Sequence, residues 1–387
     1  MPRRAVALSK RPRLAGLPRA PYAPQVPPRT IGPYEVLSIV GRGGIGTVYR
    51  ARHRKSGQEM ALKLLAPPPA CDPTAARRLA REFEALQNLH HPNVVRVYEA
   101  GVYEGYSFLA MELVEGLDLR RYLSPLIDEA SNQKDIFCGP IEDPAFDLPP
   151  PWSEPDTGTA CLGAEAIRDF AAMMDEPETD PGSKPGERVA EVNRAGPPVA
   201  EPCPLSPALA ERLNRPCRLL RLKDALLQVC EGLAYVHDRG LVHRDLKPSN
   251  IMVDDRRRVK IMDFGLVKIA ADAVHLTQHG KVVGTYRYMA PEQARGEVVD
   301  ERADLYSLGV ILFELLCGTP PFMARHPAEL WKEIVSHPPP GVLALNPGTD
   351  PVLARLAEQL LAKDPRERCQ SAREIALNLS RDGSWGS

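Results

Sequence analysis

Two stretches in the middle of the chain, HRDLKPSN at residues 243–250 and MDFGLV at residues 262–267, decide its fold. The first stretch sets an Asp, a Lys and an Asn at fixed offsets in one loop. A second acid, Asp263, follows 13 residues after Asn250, behind a short apolar strand. Metal-assisted phosphoryl transfer needs such groups: an acceptor for a hydroxyl proton, a cation for the phosphate, and oxygen ligands for Mg²⁺.

The order H-R-D-L-x-x-x-N followed by D-F-G resembles the protein kinase family, and its fixed letters and spacing make the resemblance specific. It implies an α+β, bilobal protein kinase-like fold: a small antiparallel β-sheet lobe with one helix, a larger mainly helical lobe, and an ATP cleft between them. Lys247 and the segment GTYRYMAPE fit the serine/threonine pattern. The segment around Tyr306 looks most like the bacterial, Hanks-type branch, because eukaryotic members often have Trp at that position.

Composition divides the 387 residues into three kinds of region. Residues 1–29 hold seven basic residues, seven prolines and no acid, and are predicted to be a disordered tail. Binding to an anionic surface, or a wrongly assigned start of the chain, is the alternative. Residues 124–216 hold 18 acidic against 7 basic residues and 16 prolines, which indicates an acidic insertion. The kinase domain is predicted over residues 34–380, with an N-lobe at about 34–113 and a C-lobe at about 114–380, the insertion lying within the C-lobe. A docking or autoregulatory role is the alternative to a solvated loop.

The eight cysteines are scattered, with no C-x-x-C pair, so neither a zinc site nor a disulfide framework is indicated. This pattern suits a reducing cytosol. There is no run of about 18 apolar residues, and no apolar stretch follows the basic N-terminus. We therefore expect a cytoplasmic location, no membrane span, no secretory signal and no nucleic-acid partner.

Local patterns predict the main elements of both lobes. In the N-lobe, residues 34–53 read as strand, glycine turn and strand, and a helix with apolar residues at 3–4 spacing covers about 73–90. The remaining strands are predicted at 59–65, 94–100 and 106–113. The C-lobe helices are predicted at 223–240, at 304–318, and in ARLAEQLLAKD and AREIALNLS near the end.

The glycine-rich stretch at residues 41–46, GRGGIG, fits G-x-G-x-x-G. Alone the motif is weak, since dinucleotide-binding folds share it and an ordinary hairpin turn is an alternative. Here the glycines turn one strand into another, so the backbone N–H groups could close over phosphates. The resemblance implies ATP contacts from Gly41, Arg42, Gly43, Gly44, Ile45, Gly46, Val48, Ala61, Lys63, Met111, Glu112, Val114, Asp118 and Met252.

Lys63 stands in the apolar strand MALKLL, where a charged side chain is destabilising without a partner. Glu82, on the helix that follows, is the predicted partner, whereas Glu84 would face elsewhere on that helix. In the family, the matching Lys holds the α- and β-phosphates and the matching Glu orients it. A solvated ion pair is the alternative interpretation.

The resemblance assigns roles to the catalytic loop. Asp245 would accept the substrate hydroxyl proton, and Lys247 would neutralise the transferring γ-phosphate. Asn250 and Asp263 would hold Mg²⁺, for which Mn²⁺ is able to substitute. The acceleration is expected to come from positioning and electrostatics.

The resemblance also assigns structural roles to residues around the catalytic loop and between the lobes. Glu292 is expected to form a buried ion pair with Arg368, and Asp304 to anchor the catalytic loop. His243 is expected to be a packing element in an apolar column that links the lobes, formed by Leu86, Val97, His243 and Phe264.

The activation segment is predicted at residues 263–292 and contains two threonines of interest. Thr285 is expected to bridge Asp245 and Lys247 with its hydroxyl. The commonest phosphosite position of the family holds Lys281, which cannot take phosphate, so Thr277 is the remaining candidate.

The predicted function is a signalling serine/threonine protein kinase that transfers the ATP γ-phosphate to protein hydroxyls, itself a phosphoprotein through self-phosphorylation in trans. The alternative is a pseudokinase, a scaffold or nucleotide-binding regulatory module, which would lack one of Lys63, Asp245, Asn250 or Asp263. All four are present. A kinase of small metabolites is a further alternative, although such enzymes usually lack the long activation segment.

Overall fold

The computed structural model describes residues 28–43, 46–65, 86–103, 106–124, 204–264, 286–324 and 326–381. Several predictions concern residues outside these ranges. They are most of the basic tail, most of the helix predicted at about 73–90, most of the insertion, and most of the activation segment, with Gly44, Ile45, Glu82, Thr277 and Thr285. The side chain of Arg42 is also outside the description.

The smaller lobe is a six-stranded antiparallel sheet with the order β1-β2-β3-β4-β6-β5. The turn at Ser56 and Gly57 joins β3 to β4, and Gly57 has the positive φ of 72° that favours glycine. β4 is central and buried along almost its whole length. The strands are β1 (Thr30–Ile31), β2 (Tyr34–Gly43), β3 (Gly46–His53), β4 (Glu59–Leu65), β5 (Val97–Tyr103) and β6 (Tyr106–Met111).

The strand predicted at 94–100 lies further along the chain, at Val97–Tyr103. The prediction began at residue 94 because Val94 and Val95 are apolar, and both are buried in the structure. They pair instead with the other lobe: Val94 forms a bridge with Ile261, and the Val95 N–H donates to the Ile261 carbonyl oxygen at 2.9 Å. This short stretch therefore connects the two lobes.

The larger lobe is mainly helical, with a small three-stranded sheet, β7-β8-β9, next to the smaller lobe. Two single-turn 3-10 helices occur at Pro248–Asn250 and Pro365–Glu367. The other elements are β7 (Gly116–Asp118), α1 (Leu119–Tyr122), α2 (Pro207–Leu213), α3 (Pro216–His237), β8 (Ile251–Asp254), β9 (Val259–Ile261), α4 (Pro291–Ala294), α5 (Arg302–Cys317), α6 (Pro327–Ser336), α7 (Val342–Leu345), α8 (Pro351–Leu360) and α9 (Ala372–Arg381). The bilobal α+β fold is confirmed.

Helix α5 is the centre of the larger lobe, because fifteen of its residues are buried. Gly309 allows α8 to approach closely, since a Cβ there would lie 2.7 Å from the Leu360 Cβ. The helix ends at Gly318, whose left-handed φ of 77° favours glycine. The surrounding core is continuous with the inner face of the smaller lobe, so the two lobes share one apolar core.

Arg218 of α3 joins the chain on both sides of residues 125–203. Its Nε donates to the Leu123 carbonyl oxygen at 2.8 Å, and its Nη1 donates to the Leu213 carbonyl oxygen at 2.9 Å. Its Nη2 donates to the Leu315 carbonyl oxygen of α5 at 2.8 Å. Burial lowers the pKa of this guanidinium to about 10. Arg218 therefore holds Leu123 and Leu213, which lie on either side of residues 125–203, close to one another.

The end of the range assigned to the insertion, 124–216, is folded. Helix α2 lies inside that range, Ser206 caps it by accepting from the Leu209 N–H, and Leu213 is buried. The Leu205 N–H donates to the Leu345 carbonyl oxygen at 2.9 Å. Helix α3 also starts earlier than predicted, with Pro216 in its first turn. The boundary near 216 was therefore placed too late.

Within the residues that the structure describes, no helix has the length and apolar character needed to cross a membrane.

Candidate active site

The catalytic loop brings three of the predicted residues together. The Lys247 Nζ lies 2.7 Å from the Asp245 Oδ2. The Asn250 Nδ2 donates to the Asp245 carbonyl oxygen at 2.8 Å and to its Oδ2 at 3.3 Å. Acid, cation and amide therefore occupy one small volume, with the Asp245 carboxylate at its centre.

The carboxylate of Asp304, on helix α5, anchors this loop through hydrogen bonds to its backbone. Its carboxylate is fully buried and accepts the N–H groups of His243 at 2.7 Å and Arg244 at 2.8 Å, and His237 Nε2 lies 2.9 Å away. Arg244 has a φ of 65°, which is sparsely populated for a residue with a side chain. Such conformations persist where the surroundings fix them, commonly at functional sites. The two backbone bonds to Asp304 supply that constraint.

His243 connects the catalytic loop to the strand that precedes Asp263. Its Nε2 lies 2.7 Å from the Met262 carbonyl oxygen, which can only accept, so Nε2 carries the proton. Its Nδ1 then accepts the Asp245 N–H at 3.2 Å. The ring also packs on Phe264, with centroids 4.7 Å apart. His243 is therefore a positioning residue for both acids, beyond the packing role that the sequence predicted.

The apolar column that the sequence predicted can be traced between the lobes. Leu86, Val97 and Phe264 are buried in one core and line one small cavity, together with Met111 of β6. His243 is fully buried beneath Phe264. The column thus runs from the smaller lobe to the catalytic loop.

Lys63 reaches the second acid from the smaller lobe. Its Nζ lies 2.8 Å from the Asp263 Oδ2, and its side chain is only 8% exposed. Asp263 has a φ of 61°, the second unusual backbone angle at the site. The Met262 N–H donates to the Asn250 carbonyl oxygen at 2.8 Å, which places Asp263 beside the catalytic loop. The predicted partner of Lys63, Glu82, lies outside the described residues.

The segment after β6 is held by one backbone contact and one ion pair. The Glu112 N–H donates to the Arg96 carbonyl oxygen at 2.8 Å, so Glu112 can offer a ligand only its carbonyl oxygen. Its side chain pairs with Lys260 at 2.9 Å. Val114 is partly buried against the core, as is Val48 of β3.

Asp118, which the resemblance assigns to ATP binding, caps α1, because its Oδ1 accepts the Arg121 N–H at 3.0 Å. Met252 of β8 is its partner in the strand register, and Ala61 pairs with Met111 in the smaller lobe.

The glycine-rich turn approaches β4 closely. Gly43 and Gly46 are paired in the register of β2 and β3. A Cβ at Gly46 would lie 2.0 Å from the Leu64 carbonyl oxygen, so only glycine fits there. A Cβ at Gly41 would meet nothing within 4 Å, so open space lies beside this glycine.

Glu292 and Arg368 form a fully buried, bidentate ion pair. Both guanidinium Nη atoms lie 2.7 Å from a Glu292 oxygen. The remaining guanidinium N–H groups donate to the carbonyl oxygens of Ala362, Arg302 and Lys363 at 2.8, 2.9 and 3.1 Å. The pair ties helix α4, which contains Glu292, to the segment that precedes α9.

The donors near Asp263 suit a hard divalent cation. The Asn250 amide nitrogen points to Asp245, so its oxygen is directed away from that residue. Asp263 contributes carboxylate oxygens, one of which faces Lys63. Two oxygen-bearing side chains, completed by phosphate and water, are the kind of set that Mg²⁺ accepts. The residues therefore fit a metal ion of this type.

A family model described as protein tyrosine and serine/threonine kinase matches residues 34–378. The chain belongs to the protein kinase family. Members of this family use ATP with a divalent metal ion.

Curated relatives include bacterial kinases. The serine/threonine-protein kinase PknB of Mycobacterium leprae is 29% identical over 92% of this chain and 44% of its own length. The DNA damage-responsive serine/threonine-protein kinase RqkA of Deinococcus radiodurans is 31% identical over 92% of this chain and 40% of its own length. This chain thus spans less than half of the relatives it matches.

Among solved structures, the Mycobacterium tuberculosis PknI kinase domain matches with a TM-score of 0.52 and 23% identity. The match covers 92% of this chain and 98% of that domain, and at this identity it supports the fold alone.

Sequence reasoning missed one charged cluster in the larger lobe. Arg120 of α1 donates to the Tyr288 hydroxyl at 2.9 Å and forms an ion pair with Glu314 of α5. The Tyr288 hydroxyl donates to the Glu314 Oε2 at 2.7 Å. A signal was present, because Glu314 is the only charged residue between Asp304 and Gly318 in an otherwise apolar helix.

Proposed function

We propose that this protein is a serine/threonine protein kinase that transfers the γ-phosphate of ATP to hydroxyl groups of protein substrates. The observation that carries the proposal is the convergence of two acidic groups with their cations. Lys247 lies 2.7 Å from Asp245, and Lys63 lies 2.8 Å from Asp263. The His243 ring joins the two pairs, because it contacts the Met262 carbonyl oxygen next to Asp263 and accepts the N–H of Asp245.

In this proposal Asp245 accepts the proton of the substrate hydroxyl as the oxygen attacks the γ-phosphorus. Lys247 neutralises negative charge on the transferring group, and the amide of Asn250 keeps the Asp245 carboxylate in place. Because these groups are already oriented, little reorganisation accompanies the reaction.

Lys63 would bind the α- and β-phosphates, exchanging its contact with Asp263 for the incoming nucleotide. Asp263 would then be free to hold the metal together with Asn250. The metal, proposed to be Mg²⁺ with Mn²⁺ as a substitute, neutralises charge on the phosphates when bound. Glu82 would then orient Lys63.

The remaining assignments are proposals of the same kind. The adenine would lie between Val48, Ala61 and Met252, with backbone contacts from Glu112 and Val114. Thr285 would bridge Asp245 and Lys247, and Thr277 would be the site of phosphorylation in trans. We propose a cytoplasmic enzyme whose domain spans residues 34–380.

The test is transfer of labelled γ-phosphate from ATP, with Mg²⁺, to generic protein substrates, followed by identification of the labelled amino acid. We expect phosphoserine or phosphothreonine. Asp245→Asn is the control, because it keeps the size of the side chain and removes the base. Label no greater than that of the control, across several substrates, would refute the proposal.

A further inference from the structure

One buried tyrosine hydroxyl of the larger lobe lacks a partner. Tyr122, the last residue of α1, is 7% exposed, and its hydroxyl has no hydrogen-bond partner among the residues that the structure describes. A hydroxyl buried without a partner is destabilising, and the large majority of buried polar groups in proteins are paired. We therefore expect this hydroxyl to bind a group that the described residues do not supply.

Two guanidinium groups act on the Tyr122 hydroxyl. The guanidinium carbon of Arg221, on α3, lies 5.5 Å from the centre of the Tyr122 ring, and its Nε is also buried without a partner in the described part of the chain. Arg257 belongs to the turn between β8 and β9, which is tied to α3 because Gln228 Nε2 donates to the Arg257 carbonyl oxygen at 2.9 Å. Burial raises the pKa of Tyr122, and the charges of Arg257 and Arg221 oppose that rise. The hydroxyl therefore lies in a region of positive charge.

Neither of these two cations forms an ion pair with an acid of the described ranges. The neighbouring Arg258 shows the contrast, because its Nη2 lies 2.8 Å from the Asp254 Oδ2 in the same turn. Asp224 is the acid that acts on the Tyr122 hydroxyl, and it accepts from Gln228 Nε2 at 3.1 Å. A hydroxyl donor beside two uncompensated guanidinium groups has the chemistry of a carboxylate site, since all three donate to an anionic oxygen.

The chain itself brings an anionic segment to this place. The described stretch ends at Ser124, two residues after Tyr122. The next 32 residues, 125–156, carry eight acids, one lysine and no arginine. The first of these acids, Asp128, follows Tyr122 by six positions, and six residues span at most about 20 Å. A carboxylate tethered so close to the site is present there at a high effective concentration.

We propose that Tyr122, Arg221 and Arg257 bind a carboxylate of residues 128–156, so that the start of the acidic insertion docks on its own domain beside α1 and α3. The Tyr122 hydroxyl donates to the carboxylate, and the two guanidinium groups supply the opposite charge. Charge complementarity favours this occupant over a neutral or basic one. Partly exposed ion pairs add little to stability, so the contact fixes the path of the segment more than it stabilises the domain.

The test is zero-length cross-linking of the full chain. A carbodiimide joins a carboxylate to an amine in contact with it, so Arg221→Lys and Arg257→Lys, made separately, place an amine at each position and keep its charge. We expect mass spectrometry to find both introduced amines coupled to acids of residues 128–156. Arg258→Lys is the matched control, because this position pairs with Asp254 in the same turn. Its amine should couple to Asp254 and not to the insertion.

Removal of the hydroxyl and screening of the charges should both weaken the contact. Tyr122→Phe, added to Arg257→Lys, should lower the initial rate of coupling about tenfold, the loss of one hydrogen bond to a charged group. Salt at roughly 1 M should lower the rate as well, because the site is partly exposed. An unchanged rate in both experiments would show that the hydroxyl and the charges do not bind the segment.

Mixing heavy-isotope-labelled with unlabelled chains separates coupling within one chain from coupling between two copies. Coupling between copies, coupling spread equally over the acids of the whole chain, or no coupling at all would overturn the proposal. If Tyr122→Phe does not fold, the comparison of Arg257→Lys with Arg258→Lys decides. The proposal does not depend on turnover, so a chain that couples as expected but transfers no phosphate would refute the proposed function and leave this inference standing.

Discussion

Replacing Arg368 with methionine should destabilise the fold severely, because it breaks the buried pair with Glu292. The guanidinium makes five hydrogen bonds, two to the carboxylate and three to the carbonyl oxygens of Ala362, Arg302 and Lys363. Its removal leaves a carboxylate that is 4% exposed without a counter-charge. Breaking such a pair costs about 3–5 kcal/mol.

This free energy converts into a thermal shift that is easy to measure. In a domain of this size, ~1 kcal/mol moves the melting temperature by roughly 2–4 °C. Arg368→Met should therefore melt about 10 °C below the wild type in circular dichroism or calorimetry. Arg368→Met combined with Glu292→Leu should recover part of the loss, since replacing both partners removes the unpaired charge.

The matched control is Arg373→Met. Arg373 also pairs with an acid, Asp238, but the two side chains are 64% and 52% exposed. Exposed pairs contribute only about 0–1 kcal/mol, so the control should melt within a few degrees of the wild type. Equal shifts for Arg368→Met and Arg373→Met would refute the reasoning from burial.

Three further predictions concern the site, the pH dependence of stability and the insertion. Lys63→Met and Asp263→Ala should both lose phosphate transfer yet remain folded; a fall of more than about 10 °C in the melting temperature of Lys63→Met would make that role structural. Burial lowers the pKa of Lys363 to about 8, so the unfolded chain binds more protons above that pH. The unfolding free energy, measured by urea denaturation, should therefore rise from about pH 8 to pH 10.5 relative to Lys363→Met, and a parallel pH profile would contradict this. Replacing residues 130–203 with a short Gly/Ser link should preserve the melting temperature and the activity on a short peptide; an insoluble product would show that the segment packs into the domain.

Local signals in the sequence located the regular elements well. The strand Glu59–Leu65 was predicted at its observed bounds because Ser56 and Gly57 mark the turn before it. Helix α5 was predicted at 304–318 and observed at Arg302–Cys317, since its apolar run ends at a glycine. Boundaries failed where burial has another cause: Val94 and Val95 look like strand residues but pair with Ile261 of the other lobe.

Long-range pairing is where sequence reasoning was weakest. The contact of Lys63 with Asp263 joins residues two hundred positions apart, and nothing local specifies it. The dual hydrogen bonding of His243 needs the Met262 carbonyl oxygen in place. The acidic composition around the insertion concealed α2, a short helix whose single buried leucine, Leu213, leaves almost no periodic signal.

The most direct test of phosphate transfer from this site compares nucleotide binding and transfer in one preparation of Asp245→Asn. Removing the base leaves Lys63, Asn250 and Asp263 in place, so fluorescent ATP should bind with the wild-type affinity. Loss of general-base catalysis should lower transfer by about 10²–10⁴-fold. Transfer at the wild-type rate, or a wild type that binds ATP and transfers nothing, would contradict the assignment of Asp245 as the catalytic base of a protein kinase.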